Sequence, residues 1–271
     1  MEFIKPKKYI KQNKFVPSKK MGQNFLVDQN ILDLIKESID EKSFDAIIEI
    51  GPGLGALTKK LLEFKKPLYL IELDKRLYSY LYERLGKENN IKIYNEDVLR
   101  FNLNEISDKY KKCIIIANLP YSISTLAIIK FLKINNIKNM YCMLQKEVVK
   151  RLSSTPSHHE YNAFACIFQH QATCVNLLDV AASCFEPIPK VDSNFVLLTK
   201  KPNITFDVKY DKFLKQAFLA KRKTLHNNLK HIYTEEQIKD VFKKFKLDSM
   251  IRIEAIDEKT IQKIYMYLTK E

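Results

Sequence analysis

A chain of 271 residues, 46% of them hydrophobic and 11% aromatic, is long enough and apolar enough to fill a core of its own, which excludes a disordered chain. With only five glycines, nine prolines and no repeat at solenoid periods, low-complexity linkers and repeat arrays are excluded as well. The formal charge of +14 is unevenly spread: residues 1–24 carry seven Lys against one Glu, residues 201–271 carry sixteen Lys and Arg against ten acids, and the middle is close to neutral. Such basic ends are either solvated surface or a footprint for a polyanion, and two separate ones favour nucleic acid. Five cysteines without a C-x-x-C pair indicate neither a disulfide framework nor a zinc site. No apolar run reaches the roughly 18 residues of a membrane span, and the N-terminus lacks a signal-peptide core, so a cytoplasmic protein is expected.

In chain order, Asp28 is placed to cap a helix through Ser38, with Ile31, Leu32, Ile35 and Ile39 on one face. Strands are predicted at 46–50, 68–73, 91–95, 113–117 and 140–144, with helices near 56–65, 75–85 and 123–133. That alternation implies a parallel sheet with right-handed crossovers, a Rossmann-like α/β fold. After residue 160 the rhythm changes. A helix is predicted at 161–171, and the β-rich runs 174–180 and 194–199 are expected to form an antiparallel edge pair. From Phe206 onward the pattern is helical, with Phe213, Ala217 and Phe218, then Ile238, Val241, Phe242 and Phe245, then Ile261, Ile264 and Leu268 at helical spacing. The expected division is a basic N-terminal arm (1–27), an α/β domain (28–202) and a small all-helical domain (203–271).

Three of the five glycines fall in Glu49-Ile-Gly51-Pro-Gly53-Leu-Gly55-Ala-Leu-Thr58, at the end of the first strand of the alternating series. Glycine there permits a tight turn and close approach of a ligand to the main chain. Gly51-x-Gly53-x-x-Ala56 also fits the dinucleotide fingerprint, so the glycines alone do not decide the cofactor. Glu72, in Ile71-Glu-Leu-Asp74, ends the next strand as an acceptor for ribose hydroxyls, which NAD and S-adenosylmethionine share. Asp97, in Asn95-Glu-Asp-Val98, is either a turn residue or an acceptor for an adenine amine, and tilts the balance to S-adenosylmethionine. In Asn118-Leu-Pro-Tyr121, Pro120 fixes its φ and holds Leu119 extended. That geometry can aim the Asn118 oxygen and the Leu119 carbonyl into one cavity, which suits a group with two N–H donors such as adenine N6. Tyr121 is then either a core tyrosine or a stacking surface for a flipped base.

EIGPGLGALT, IELD, NED and NLPY, in this order, resemble the S-adenosylmethionine-dependent rRNA adenine N6,N6-dimethyltransferases. Lys20-Met-Gly-Gln-Asn-Phe-Leu26 resembles that family's cofactor-covering segment. FEPIPKVDS, from Phe185 to Ser193, and FLAKRKTLHNNL, from Phe218 to Leu229, are similar to the bacterial small-subunit (16S) type. The resemblance implies a cofactor site of Asn24, Leu26, Gly51, Gly53, Glu72, Asp97, Val98 and Asn118. It also implies a catalytic group of Asn118, Leu119, Pro120, Tyr121 and Phe185, with Tyr121 and Phe185 on either side of the base. The implied substrate is a pair of adjacent adenosines in a 3′-terminal hairpin of 16S rRNA or an immature small subunit, contacted by Lys221, Arg222 and Lys223. No metal-ligand set is found in the sequence and nothing in it demands more than a monomer. The sequence departs from the family at Ala117, where Gly is usual, at Asn162 and Ala163 in Tyr161-Asn-Ala-Phe164, where Gly-Arg is usual, and at His226, where Arg is common. His158 and His159 read as a solvated loop. The rival readings are a large-subunit rRNA methyltransferase of the antibiotic-resistance type, a dinucleotide-dependent oxidoreductase, and a non-catalytic ribosome-assembly factor.

Overall fold

The computed structural model describes residues 6–18, 21–120 and 122–269. In chain order the elements are α1 (Pro6–Gln12), β1 (Phe25–Leu26), α2 (Gln29–Glu37), β2 (Ala46–Ile50), α3 (Ala56–Leu61), β3 (Leu68–Ile71), α4 (Lys75–Leu85), β4 (Ile91–Tyr94), α5 (Asn104–Ser107), β5 (Cys113–Asn118) and α6 (Ser124–Leu132). There follow β6 (Ile137–Gln145), α7 (Lys146–Leu152), α8 (Ala163–Gln171), β7 (Ala172–Val180), β8 (Phe185–Glu186), β9 (Ser193–Lys200), α9 (Val208–Ala217), α10 (Leu225–Leu229), α11 (Glu235–Lys244) and α12 (Glu258–Leu268).

Seven strands form one sheet in the order β4-β3-β2-β5-β6-β9-β7. The first five are parallel to one another and β9 runs antiparallel to β6. Every residue of β2 and β3 is buried, as expected for central strands covered by helices on both faces. The register places Ile50, Ile71, Tyr94 and Ala117 in one row across β2, β3, β4 and β5. The residues that follow them therefore leave the sheet side by side at its carboxyl edge, where open α/β sheets bind ligands. Ala117, buried between Ile50 and Cys142, fits this row without needing glycine.

Two expected boundaries change. The chain divides into a sheet unit of Met1–Val149 with Cys174–Lys200 and a helical unit of Lys150–Thr173 with Lys201–Glu271. Residues 150–173 thus belong with the helices and not with the α/β domain, because Tyr161 and α8 residues Ala165, Cys166 and Ile167 share a buried cluster with Phe213, Leu225 and Ile261. Helices α9, α10, α11 and α12 each start at a side-chain cap, from Asp207, Thr224, Thr234 and Asp257. The N-terminal segment, expected as an arm, is part of the sheet unit's core: Tyr9 stacks edge-on against Tyr80 of α4 at 4.7 Å, and Phe15 lies 6.1 Å from Phe25. An aromatic residue at each end of a lysine-rich stretch was the available signal.

Candidate active site

The carboxyl edge of the sheet opens into a pocket with about 1050 Å³ of space between its walls, part of it open to solvent. Residues 21–26 line one side, the glycine turn and Glu72 another, and Glu96, Asp97 and Val98 a third. Asn118, Leu119 and Pro120 line the pocket from the end of β5, and Phe185 from β8. All the expected cofactor residues and four of the five expected catalytic residues thus border one cavity. The fifth, Tyr121, lies outside the described residues, as does Lys20 of the covering segment.

The glycine turn is built around backbone conformations that a side chain would strain. Gly51 and Gly53 have φ of +68° and +58°, and a Cβ on Gly53 would stand 3.0 Å from the Phe25 ring. The amides of all three glycines are already engaged. Gly51 N donates to Ile71 O at 3.0 Å, Gly55 N to Pro52 O at 2.9 Å, and Gly53 N to the Glu72 carboxylate at 3.0 Å. A pyrophosphate needs such N–H groups or a cation nearby. Among the described residues no Lys, Arg or His lines the pocket, whereas Glu49, Glu72, Glu96 and Asp97 do. This pattern suits a ligand with positive charge, which S-adenosylmethionine carries on its sulfonium, better than a dinucleotide's phosphates. The residues present therefore fit that cofactor.

Glu72 accepts from Gly53 N through one oxygen and from Asp74 N at 2.9 Å through the other. Burial raises its pKa to about 7, against the lowering effect of those two bonds. Each oxygen keeps a lone pair for a ribose hydroxyl. Asp74 is also buried, yet its pKa is lowered: burial pushes it up, and the bonds from Arg76 and Gln23 outweigh burial. Arg76 grips it through Nε at 3.0 Å and Nη2 at 2.6 Å, and Gln23 Nε2 donates to it at 2.8 Å. This bond ties the covering segment to the start of α4. Sequence reasoning assigned no role to Gln23 or Asp74, because a bond spanning 51 residues leaves no local pattern.

Two further ties hold the covering segment. Strands β1 and β8 pair antiparallel, with Leu26 opposite Phe185 and Phe25 opposite Glu186. Asn118 Nδ2 donates to Asn24 O at 3.3 Å. That bond commits the amide nitrogen and leaves the acceptor Oδ1 for a ligand. Phe185, expected to stack on the target base, is only 2% exposed and sits in the core cluster with Phe25 and Leu26 while bordering the pocket. Asp97 accepts from Leu99 N at 2.8 Å, so it acts as a turn residue whatever else it binds. Glu49, the first residue of the glycine motif, carries no expected role of its own. It is a buried carboxyl on the pocket, and the signal for it was a charge inside the apolar run AIIEI.

The expected RNA-contacting group divides. Lys221 Nζ donates to Tyr161 O at 2.7 Å and His159 O at 3.2 Å, while Arg222 and Lys223 are exposed. The departures from the family have local tasks. Asn162 caps α8 by accepting from Ala165 N, Ala163 opens that helix, and His226 pairs with Glu235 at 3.0 Å.

A mostly parallel seven-stranded sheet with an acidic pocket at its carboxyl edge defines a Rossmann-like α/β protein, and its relatives are methyltransferases. Similarity narrows the class. A family model described as ribosomal RNA adenine dimethylase matches residues 15–270. The ribosomal RNA small subunit methyltransferase A of Malacoplasma penetrans is 40% identical over 94% of this chain and 93% of its own. That of Ureaplasma parvum serovar 3 is 40% identical over 99% of both. Among solved structures, a dimethyladenosine transferase from Plasmodium falciparum superposes with a TM-score of 0.74 at 27% identity, covering 88% of this chain and 95% of that one. The 23S rRNA methyltransferase ErmE shares the fold, with a TM-score of 0.67 at 20% identity over 91% of this chain and 100% of its own. The chain belongs to the ribosomal RNA adenine dimethylase family.

Proposed function

We propose that this enzyme dimethylates N6 of two adjacent adenosines in the 3′-terminal hairpin of 16S rRNA, using S-adenosylmethionine, and thereby acts as a cytoplasmic monomer in small-subunit biogenesis. The observation that carries the reading is the meeting of a pocket lined, among the described residues, by four acids and no cation with the Asn118–Pro120 turn, in a chain whose relatives are small-subunit rRNA methyltransferases. When bound, S-adenosylmethionine supplies an electrophilic methyl group on a positively charged sulfur.

The chain's own residues do the rest. Glu72 accepts from ribose hydroxyls while the Gly53 and Asp74 amides fix its carboxylate. Asp97 and Val98 border the pocket and would hold the adenine. Asn118 Oδ1 and the Leu119 carbonyl accept the two N–H bonds of the target amine. Those bonds favour a tetrahedral nitrogen, whose lone pair is then no longer delocalised into the ring. Pro120, lacking an N–H, adds no competing donor, and its carbonyl accepts from Ile123 N at 3.1 Å as the chain turns into α6. The amine's proton leaves to water, so positioning supplies the acceleration and no side-chain base is required. Tyr121 and Phe185 contribute aromatic surface to the base site. Lys221, Arg222 and Lys223 supply the positive charge that phosphates require, with Arg222 and Lys223 as the contacting pair.

The test is methylation of unmodified small subunits, large subunits and free rRNA with labelled S-adenosylmethionine, followed by nucleoside analysis, using the wild type and Asn118→Ala in parallel. Dimethyladenosine confined to the small subunit or its rRNA is expected. Asn118→Ala should lower kcat by about a hundredfold or more with an unchanged circular dichroism spectrum. Label on the large subunit alone, or near-normal turnover by the variant, overturns the reading.

A further inference from the structure

Glu49 is a buried pocket acid that receives no N–H group and no cation among the described residues. It lies on β2, 2% exposed, and its Oε2 has no hydrogen-bond partner among the described residues. Two groups act on it directly: the carboxyl of Glu72 from β3 and the hydroxyl of Thr58 from α3. Thr58 Oγ1 has no full hydrogen bond among the described residues either, so it lowers the Glu49 pKa without overcoming burial. The contrast with Glu72 is informative, because that carboxyl, in the same pocket, receives two backbone N–H groups. Two buried carboxylates side by side without a cation are unfavourable, and the group with fewer donors is the one that stays protonated.

Resting on the reading above that S-adenosylmethionine is the cofactor, we infer that Glu49 exchanges its proton for the cofactor's positive charge. The O–H bond of the carboxylic acid breaks as the cation enters, the proton passes to solvent, and the carboxylate that remains faces the cation. After methyl transfer the sulfur is neutral, so the product carries one positive charge fewer, and Glu49 regains a proton as product leaves. Burial, which raises the Glu49 pKa to about 8, places this exchange in the neutral range. The sign follows from linkage. Proton release on binding makes affinity for the cationic cofactor rise with pH up to about 8, by at most tenfold per pH unit. Affinity for the neutral-sulfur product rises less, so the cofactor is favoured over the product as pH increases. Glu72, also raised, to about 7, is retained when Glu49 is replaced, so the difference between the two proteins reports Glu49 together with its coupling to Glu72.

The experiment is titration calorimetry at pH 7 in phosphate and in Tris, whose different ionisation enthalpies report the protons released per ligand. The ligands are S-adenosylmethionine and S-adenosylhomocysteine, and the proteins are the wild type and Glu49→Gln. The wild type should release roughly 0.9 proton more than Glu49→Gln with S-adenosylmethionine, and less than half of that difference should remain with S-adenosylhomocysteine. Thr58→Val, which keeps Glu49 and removes the hydroxyl that lowers its pKa, should release more protons than the wild type at pH 8. Equal release by wild type and Glu49→Gln, or equal differences for the two ligands, overturns the inference. Absence of S-adenosylmethionine binding by the wild type instead overturns the cofactor reading.

Discussion

At the scale of single residues, the site is governed by which buried polar atoms have partners. Gly53 N, Asp74 N and the Glu72 carboxylate satisfy one another, whereas Glu49 Oε2 and Thr58 Oγ1 are left over. An unpartnered buried carboxyl titrates at higher pH folded than unfolded, with burial the main cause and an ordinary value of 4.5 raised to about 8. The folded state therefore holds more protons than the unfolded state between those values, and stability falls as pH rises through that window. Glu49→Gln removes this loss. Its melting temperature minus that of the wild type should thus increase from pH 5 to pH 8, by roughly 5 °C for a protein of this size. A difference independent of pH, read by thermal unfolding in the absence of ligand, would show that the carboxyl is ionised in the fold. The glycine turn was legible at this scale because three glycines in five residues have few structural uses. The occupation of its amides was not, since Gly53 meets Glu72 only after β2 and β3 have aligned.

Elements explain why the covering segment sits where it does. Strands β1 and β8 are two residues each and meet across more than 150 residues of sequence, so neither carries a period-2 signal, and only their pairing makes them strands. The long central strands needed no such help: runs of four to six residues, apolar but for Glu49 and Asn118, define β2, β3 and β5 from sequence, with the bounds of β2 recovered outright. Helix α8 was legible as a helix yet assigned to the wrong unit, because its apolar residues give its period and not its partner. In the covering segment the Gln23 amide works at both ends. Its oxygen accepts from Ser18 N at 2.7 Å and its nitrogen donates to Asp74 Oδ2. Gln23→Ala cuts this link while leaving Asp74 held by Arg76 and the β1–β8 pairing intact. Stopped-flow measurement should find S-adenosylmethionine dissociating about tenfold faster from the variant, with little change in the association rate, as expected for loss of a hydrogen bond to a charged group. An unchanged dissociation rate would mean that the strand pairing alone closes the segment.

Across the whole molecule, charge is sorted by task. The pocket is acidic, whereas the net +14 resides mainly in the first 24 and last 71 residues. A basic run says only that cations are near one another, and not which of them are free. The helical unit makes that distinction. Lys221 donates to two backbone carbonyls of the 159–161 turn, so removing it should leave those acceptors without partners and lower thermal stability. Arg222 and Lys223 are exposed and able to displace counterions from phosphates. Neutralising both, as Arg222→Gln with Lys223→Gln, should therefore leave the melting temperature unchanged. It should also reduce the slope of log affinity for 16S rRNA against log salt by about 1.5, at 0.7–0.9 per phosphate contact. Lys221→Gln should do the reverse, shifting the melting temperature while leaving the slope near that of the wild type. Binding measured between 50 and 300 mM salt separates the two, and a full unit of slope lost with Lys221→Gln would return that lysine to the RNA-contacting group.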